Sequence, residues 1–309
     1  MKCISNVHTI SGLLVRTDFP LGFVRAASEG GNCSPDVTIR TFDLNDHPET
    51  VQFVGHKTVC FKAKTGLFFL VSGGSKISIY RDHNVSDQEV RLYLLGSAWG
   101  VLCHQRGLFP LHCSAVGWGT SAIAFVAPSG GGKSTLAASL CSFGFTHVCD
   151  DVAIADVDDA NDVVLRAMPK GLKLWGEAAD ILGLRRVEKV VSDPLINKYY
   201  VDPPEGPKPP RLGLKAIYVL EFGEPNDPPR VERLSGAARL MCLYRNVYRV
   251  EWLGVIGGAA DVLAHARSIV DSVPVFRFTR PNALLHLVPN SKFLEIHIKR
   301  TLLEGRNDD

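Results

Sequence analysis

An apolar run, a glycine-rich turn and a helix-forming stretch follow one another between Ala122 and Gly144, and together they impose a strand–loop–helix unit. Ala122-Ile123-Ala124-Phe125-Val126 lacks apolar/polar alternation, as expected of a strand buried in a parallel sheet. Thr135-Leu136-Ala137-Ala138-Ser139-Leu140-Cys141 consists of good helix formers, with Leu136 and Leu140 four apart on one face. Gly144 then supplies a stop. Between strand and helix, Ala127-Pro128-Ser129-Gly130-Gly131-Gly132-Lys133-Ser134-Thr135 fits the phosphate-binding-loop pattern, with alanine in place of its first glycine. Consecutive glycines let backbone N–H groups turn inward on a phosphate. Lys133 would place a point charge on the β- and γ-phosphates, the Ser134 hydroxyl would join a Mg²⁺ shell, and the helix N-terminus adds partial positive charge. Ser129, Gly130, Gly131, Gly132, Lys133, Ser134 and Thr135 are therefore the candidate nucleotide-binding residues, with ATP and Mg²⁺ as the expected ligands.

Composition excludes several other classes. The net charge is +2 and no basic cluster carries interleaved aromatics, so nucleic acid is not an expected partner. No apolar run approaches the length of a membrane span, and the N-terminus lacks a charged head followed by an apolar segment; no membrane partner and a cytoplasmic location are expected. The eight cysteines (Cys3, Cys33, Cys60, Cys103, Cys113, Cys141, Cys149 and Cys242) are scattered without zinc-site spacing. Cys103-His104 and His112-Cys113 read as packing coincidences, and the thiols as reduced. A homo-oligomer is compatible with the chain but not specified by it.

The first third reads as β-rich: Val37 to Phe42, Val51 to Val54, Val59 to Lys62, Leu67 to Val71 and Lys76 to Tyr80 are strand-like and separated by glycines and polar turns. Ser86 is the expected N-cap of a helix running from Asp87 to about Arg106. The fold class is α/β, with residues 1–100 a small β-rich domain ending in a helix and 101–309 a nucleotide-binding catalytic domain. In the latter, Leu111 to Val116 and Ser121 to Val126 read as strands joined by a turn over 117–120, followed by strands at Phe145 to Cys149, Val152 to Ile154, Val163 to Ala167 and Lys215 to Phe222. Pro203 to Pro210 reads as a loop or polyproline segment, Ala260 to Arg267 as a helix, Val275 to Phe278 as a closing strand, and the tail from Glu304 to Asp309 as frayed.

Asp150-Asp151 follows a strand-like segment, where α/β sheets carry functional groups. One carboxylate in such a place can hold Mg²⁺ and a second can take a proton from an attacking hydroxyl. Asp158-Asp159, set in a run of polar residues, reads as a solvated turn.

Leu111-His112-Cys113-Ser114-Ala115-Val116, the loop from Ala127 to Thr135, and Gly144 to Asp151, in that order, resemble HPr kinase/phosphorylase, and more closely the HPr-kinase-like proteins encoded beside lasso-peptide biosynthesis genes. A looser likeness runs through Gly171 to Trp175, Asn197 to Val201, Tyr244 to Arg249 and Pro274 to Phe278. The resemblance implies a P-loop kinase core of the HPr kinase/phosphoenolpyruvate carboxykinase type. It implies a catalytic set of His112, Lys133 and Asp151, with Asp151 as the base for a serine hydroxyl, and Ser134 and Asp150 at the metal. It further implies a ribosomally made precursor peptide or small protein as substrate, phosphorylated at a serine such as a C-terminal one. His112 is otherwise a core histidine on an apolar strand. The family's glutamate-containing segment after its aspartate pair does not align securely; Glu177 lies in that neighbourhood, and neither a metal role for it nor phosphorylase activity is assigned. Lys198 and Arg245 are either phosphate or carboxylate contacts or surface charge. The rival readings are a nucleotide-binding regulatory switch that hydrolyses ATP, and a P-loop kinase for a small-molecule hydroxyl.

Overall fold

The computed structural model describes residues 6–22, 34–46, 54–55, 57–168, 171–191, 195–202 and 211–304. The expected strand residues 51–53, the proline-rich segment 203–210 and the tail beyond residue 304 lie outside these, as do Cys3 and Cys33.

Along the chain, β1 (Asn6–Ile10), β2 (Leu13–Thr17), β3 (Val37–Asp43), β4 (Val54–Gly55), β5 (Thr58–Lys64), β6 (Leu67–Ser72) and β7 (Lys76–Arg81) form one sheet in the order β1-β2-β3-β7-β6-β5-β4. Its strands alternate: Val37 and Ile39, Leu67, Phe69 and Val71, and Ile77 and Ile79 turn to one buried face. That face is covered by α1 (Asp87–Tyr93) and α2 (Trp99–Gln105), joined through a π turn at Leu94–Ala98. The expected helix from Asp87 is thus present nearly to Arg106. Ser86 caps it: its Oγ accepts from Glu89 N–H at 3.3 Å, and Glu89 Oε2 accepts from Ser86 N–H at 3.2 Å.

The chain then enters a mixed sheet through β8 (Phe109–Leu111), β9 (Cys113–Trp118) and β10 (Ser121–Val126), followed by α3 (Lys133–Cys141), β11 (Thr146–Cys149), β12 (Ala153–Val157) and β13 (Val163–Ala167). A smaller sheet follows: β14 (Leu172–Trp175), α4 (Gly176–Ile181), β15 (Arg186–Lys189) and β16 (Lys198–Val201), in strand order β14-β16-β15. The chain returns to the large sheet in β17 (Arg211–Gly223) and β18 (Arg230–Arg233), passes through α5 (Gly236–Arg245), α6 (Leu253–Ile256) and α7 (Ala259–Ser272), and finishes with β19 (Val275–Pro281) and α8 (Leu287–Glu304). The order of the large sheet is β11-β9-β10-β17-β13-β12-β8, with β19 between β17 and β18. β19 is therefore an internal strand, and the expectation that it closes the fold is corrected: α8 comes after it.

The unbroken apolar run of β10 is explained by burial on both faces. Ala122, Ala124 and Val126 join the core beneath α5 and α7, which includes Leu243, Val262, Ala266 and Ile269. Ile123, Phe125 and Ala127 join the opposite core with Leu136 and Leu140 of α3 and Leu294 and Ile298 of α8. Each such fully buried large side chain contributes roughly 1.5–3 kcal/mol. β10 pairs parallel with β17 and antiparallel with β9, so the sheet is mixed. The turn between β9 and β10 is a tight hairpin, with Trp118 paired to Ser121 and Gly119 at φ 59°.

The expected single strand from Leu111 to Val116 is two strands. β8 pairs with β12 at one end of the sheet, whereas β9 pairs with β10 and β11 near the other. His112 sits at the break, and its backbone N–H donates to Asn246 O at 2.8 Å.

Candidate active site

β10 ends at Val126, and the loop turns at once into α3. Gly130 and Gly132 have φ of 84° and 78°, the left-handed region where a β-carbon is strained. Gly131 N–H donates to Pro128 O at 3.0 Å, and a β-carbon on Gly131 would come within 2.6 Å of the Ala127 β-carbon. The alanine that replaces the usual first glycine is thus accommodated because residue 131 has no side chain. Lys133 is 7% exposed, and its ammonium donates to Ala127 O at 2.7 Å and more weakly to Pro128 O at 3.4 Å. A loop lysine is expected to face its ligand openly; here it lies folded along the loop's own carbonyls. Burial lowers its pKa, against the pull of Asp150 and Asp151.

The aspartates lie just beyond β11, which pairs with β9. Asp150 is 2% exposed: its Oδ1 accepts from Ser114 Oγ and Ser134 Oγ, both at 2.6 Å, and its Oδ2 accepts from Lys173 N–H at 3.2 Å. Asp151 is less enclosed and adopts φ 81°, outside the ordinary range for a side-chain-bearing residue. Its Oδ2 pairs with Lys173 Nζ at 3.0 Å, and its Oδ1 lies 3.7 Å from His112 Nε2. The neighbouring carboxylates therefore face different environments, one saturated by hydrogen bonds and the other held by a cation.

His112 packs edge-on against Tyr248, with ring centroids 5.7 Å apart. Burial, and then the Lys133 charge, push its pKa down to about 4, so the ring is neutral near pH 7. Its contact with Asp151 is not an ion pair at that pH. Lys173 is buried on β14 between Leu172 and Leu174. Burial opposes its charge, yet Asp151 and Asp150 hold its ammonium above the ordinary lysine range.

One cleft of about 310 Å³ gathers these groups, a volume suited to a small ligand. His112, the loop from Ser129 to Thr135, Asp150 and Asp151 all line it, as do Glu177 and Lys198. Lys198 stands 5.8 Å from the exposed ring of Trp175, and burial and then Lys173 lower its pKa. Arg245 is exposed near the end of α5 and is not among the lining residues. Asp158 lies in the turn between β12 and β13, where its Oδ1 accepts from Ala160 and Asp162 N–H at 3.0 and 2.9 Å, as the polar-turn reading expects.

Among the described residues no three His, Cys, Asp or Glu side chains converge to hold an ion by themselves, and the two Cys-His dipeptides form no such group. Ser134 and Asp150 instead offer a hydroxyl and a carboxylate beside the loop. That set fits Mg²⁺, a hard cation usually held by one or two carboxylates, water and substrate phosphates. Cys103, Cys113, Cys149 and Cys242 carry free thiols. Among the described residues no helix is long and apolar enough to cross a membrane.

The sequence assigns no role to several lining or supporting residues, among them Ser114, Lys173, Trp175 and Arg280. A lysine between two leucines on a strand is a legible signal for Lys173. Arg280 lies beyond the expected end of its strand, and Ser114 gives no signal before Asp150 is placed beside it.

No protein-family model matches the chain, and no curated protein matches it. Among solved structures it is similar to the HPr(Ser) kinase/phosphatase from Coxiella burnetii, at 13% identity and a TM-score of 0.32, over 64% of this chain and 98% of that one. A likeness at that score leaves function to the residues of the cleft.

Proposed function

We propose that this chain transfers the terminal phosphoryl group of ATP to a serine hydroxyl of a peptide or small protein. The observation that carries the reading is the meeting of Lys133 and Ser134 with a hydrogen-bonded Asp150 and a lysine-paired Asp151 in one cleft.

Ser134 and Asp150 would hold Mg²⁺, which supplies neutralisation of phosphate charge when bound. Lys133 contributes a fixed positive charge at the phosphates. Asp151 takes the proton of the serine hydroxyl as its oxygen bonds to the γ-phosphorus; the bond from that phosphorus to the bridging oxygen breaks, and ADP leaves with the bridging oxygen. Lys173 anchors the Asp151 carboxylate. Neutral His112, beside Asp151, can donate one N–H to an oxygen of the transferred group. Trp175 and Lys198, at the same cleft, offer an apolar face and a cation to the acceptor.

The resemblance carried by residues 111–116, 127–135 and 144–151 makes a ribosomally made precursor peptide, modified at its C-terminal serine in the cytoplasm, the acceptor within this reading. Incubation with ATP, Mg²⁺ and serine peptides, such a precursor included, followed by mass spectrometry, should show phosphorylation that a serine-to-alanine peptide does not. Labelling of a free sugar or nucleoside alone would identify a small-molecule kinase. ATP hydrolysis with no labelled acceptor would identify a switch.

A further inference from the structure

Arg280 is the penultimate residue of β19, beside the loop, and is 6% exposed. Its guanidinium lies 4.9 Å from the Phe222 ring centroid and 5.7 Å from that of Phe278. Nη2 donates to Gly131 O at 2.9 Å, whereas Nη1 is buried without a hydrogen-bond partner. A β-carbon on Gly132 would sit 2.6 Å from Nη2, so the glycine leaves room for this side chain to reach the loop. Burial pushes Arg280 down to about 10, which still leaves it a cation at neutral pH.

Burying a charge is costly unless an opposite charge or a full set of hydrogen bonds compensates it. Lys173, equally buried on the same cleft, has Asp151 at 3.0 Å. Among the described residues no carboxylate stands within ion-pair distance of Arg280. Two aromatic faces and one carbonyl compensate it only in part. The cleft that Arg280 lines is where the phosphates of a bound nucleotide would supply the missing negative charge. A planar guanidinium can keep one N–H on Gly131 O while turning others to a phosphate oxygen, which an ammonium cannot do in the same geometry.

We propose that Arg280 is a phosphate-contacting residue of this cleft, clamping the phosphate chain of the nucleotide against the glycine loop. The proposal rests on the nucleotide-binding reading above.

The test compares wild-type protein with Arg280→Met, using ATP and inorganic tripolyphosphate as ligands in calorimetry and the thermal midpoint without ligand as a second readout. Arg280→Met should bind both ligands about ten- to hundredfold more weakly, the scale of a charged hydrogen bond, with no fall in the ligand-free midpoint. A lowered midpoint with unchanged affinities would make Arg280 a purely structural support and overturn the proposal. So would weakened ATP binding with unchanged tripolyphosphate binding, which would place Arg280 on the nucleoside. Should the methionine variant not fold, Arg280→Lys is read in the same way: several-fold weaker binding of both ligands supports the contact, and wild-type affinity refutes it. Wild-type protein that binds neither ligand overturns the nucleotide reading and this proposal with it, whereas a variant that binds as wild type overturns this proposal alone.

Discussion

Asp151 stands at φ 81°, a conformation that asparagine tolerates better than most residues, so Asp151→Asn probes the carboxylate with little backbone penalty. Phosphoryl transfer should fall by roughly 10²–10⁴-fold while ATP still binds, the usual scale for a general base. Loss of transfer in Asp150→Asn with full transfer in Asp151→Asn would reverse the two roles. Removing the Asp151 charge also leaves Lys173 without its nearest anion, so urea unfolding should show a loss of up to about 3 kcal/mol. For Lys133→Ala, whose ammonium is bonded to the loop's own carbonyls, calorimetry should show ATP binding lost or strongly weakened. His112 makes a pH prediction. Its folded pKa of about 4 lies below the ordinary 6.5, so between those values the unfolded chain binds a proton that the folded chain does not. Stability should therefore rise with pH across that window, by on the order of 3 kcal/mol from this residue, and level off above it. In His112→Gln the pH profile of urea unfolding should lose that part of its slope.

At the scale of elements, legibility followed how local the signal is. Ser86 and Glu89 are three residues apart, and their reciprocal hydrogen bonds appear as the sequence pattern implies. Ser86→Ala should cost about 1 kcal/mol in urea unfolding and leave ATP affinity alone, because the capped helix belongs to the core of the first sheet. The strands β10 and β17 were legible as apolar runs. The break at His112 was not, because a continuous apolar run says nothing of a change in pairing partners. The small sheet β14–β16 and the helices α5 and α8 have no such local signal. Their burial patterns depend on which neighbours cover them: in α8, Leu294 and Ile298 are fully buried while Phe293 and Ile296 are 39% and 54% exposed.

For the molecule as a whole, the core of the first sheet does not stop at its own strands: Ile154, Met168 and Ile256 belong to the same buried cluster. Deleting residues 1–100 should expose these apolar side chains, giving a fragment that aggregates or binds a hydrophobic dye; a soluble fragment with native-like unfolding would contradict this. The glycine loop, its lysine and serine, and the aspartate pair were legible from the sequence alone, because each is written in consecutive residues whose backbone and side chains act on one another locally. The tertiary structure decided that Lys173 pairs with Asp151 from 22 positions away, and that Arg280 meets Gly131 from 149 positions away. Pairing of β19 with β17, and of β17 with β10, carried Arg280 to the loop, and packing of Leu172 and Leu174 of β14 against Ala138 of α3 brought Lys173 to the aspartates. Neither has a local signature, since both arise from the sum of packing contacts made across the fold.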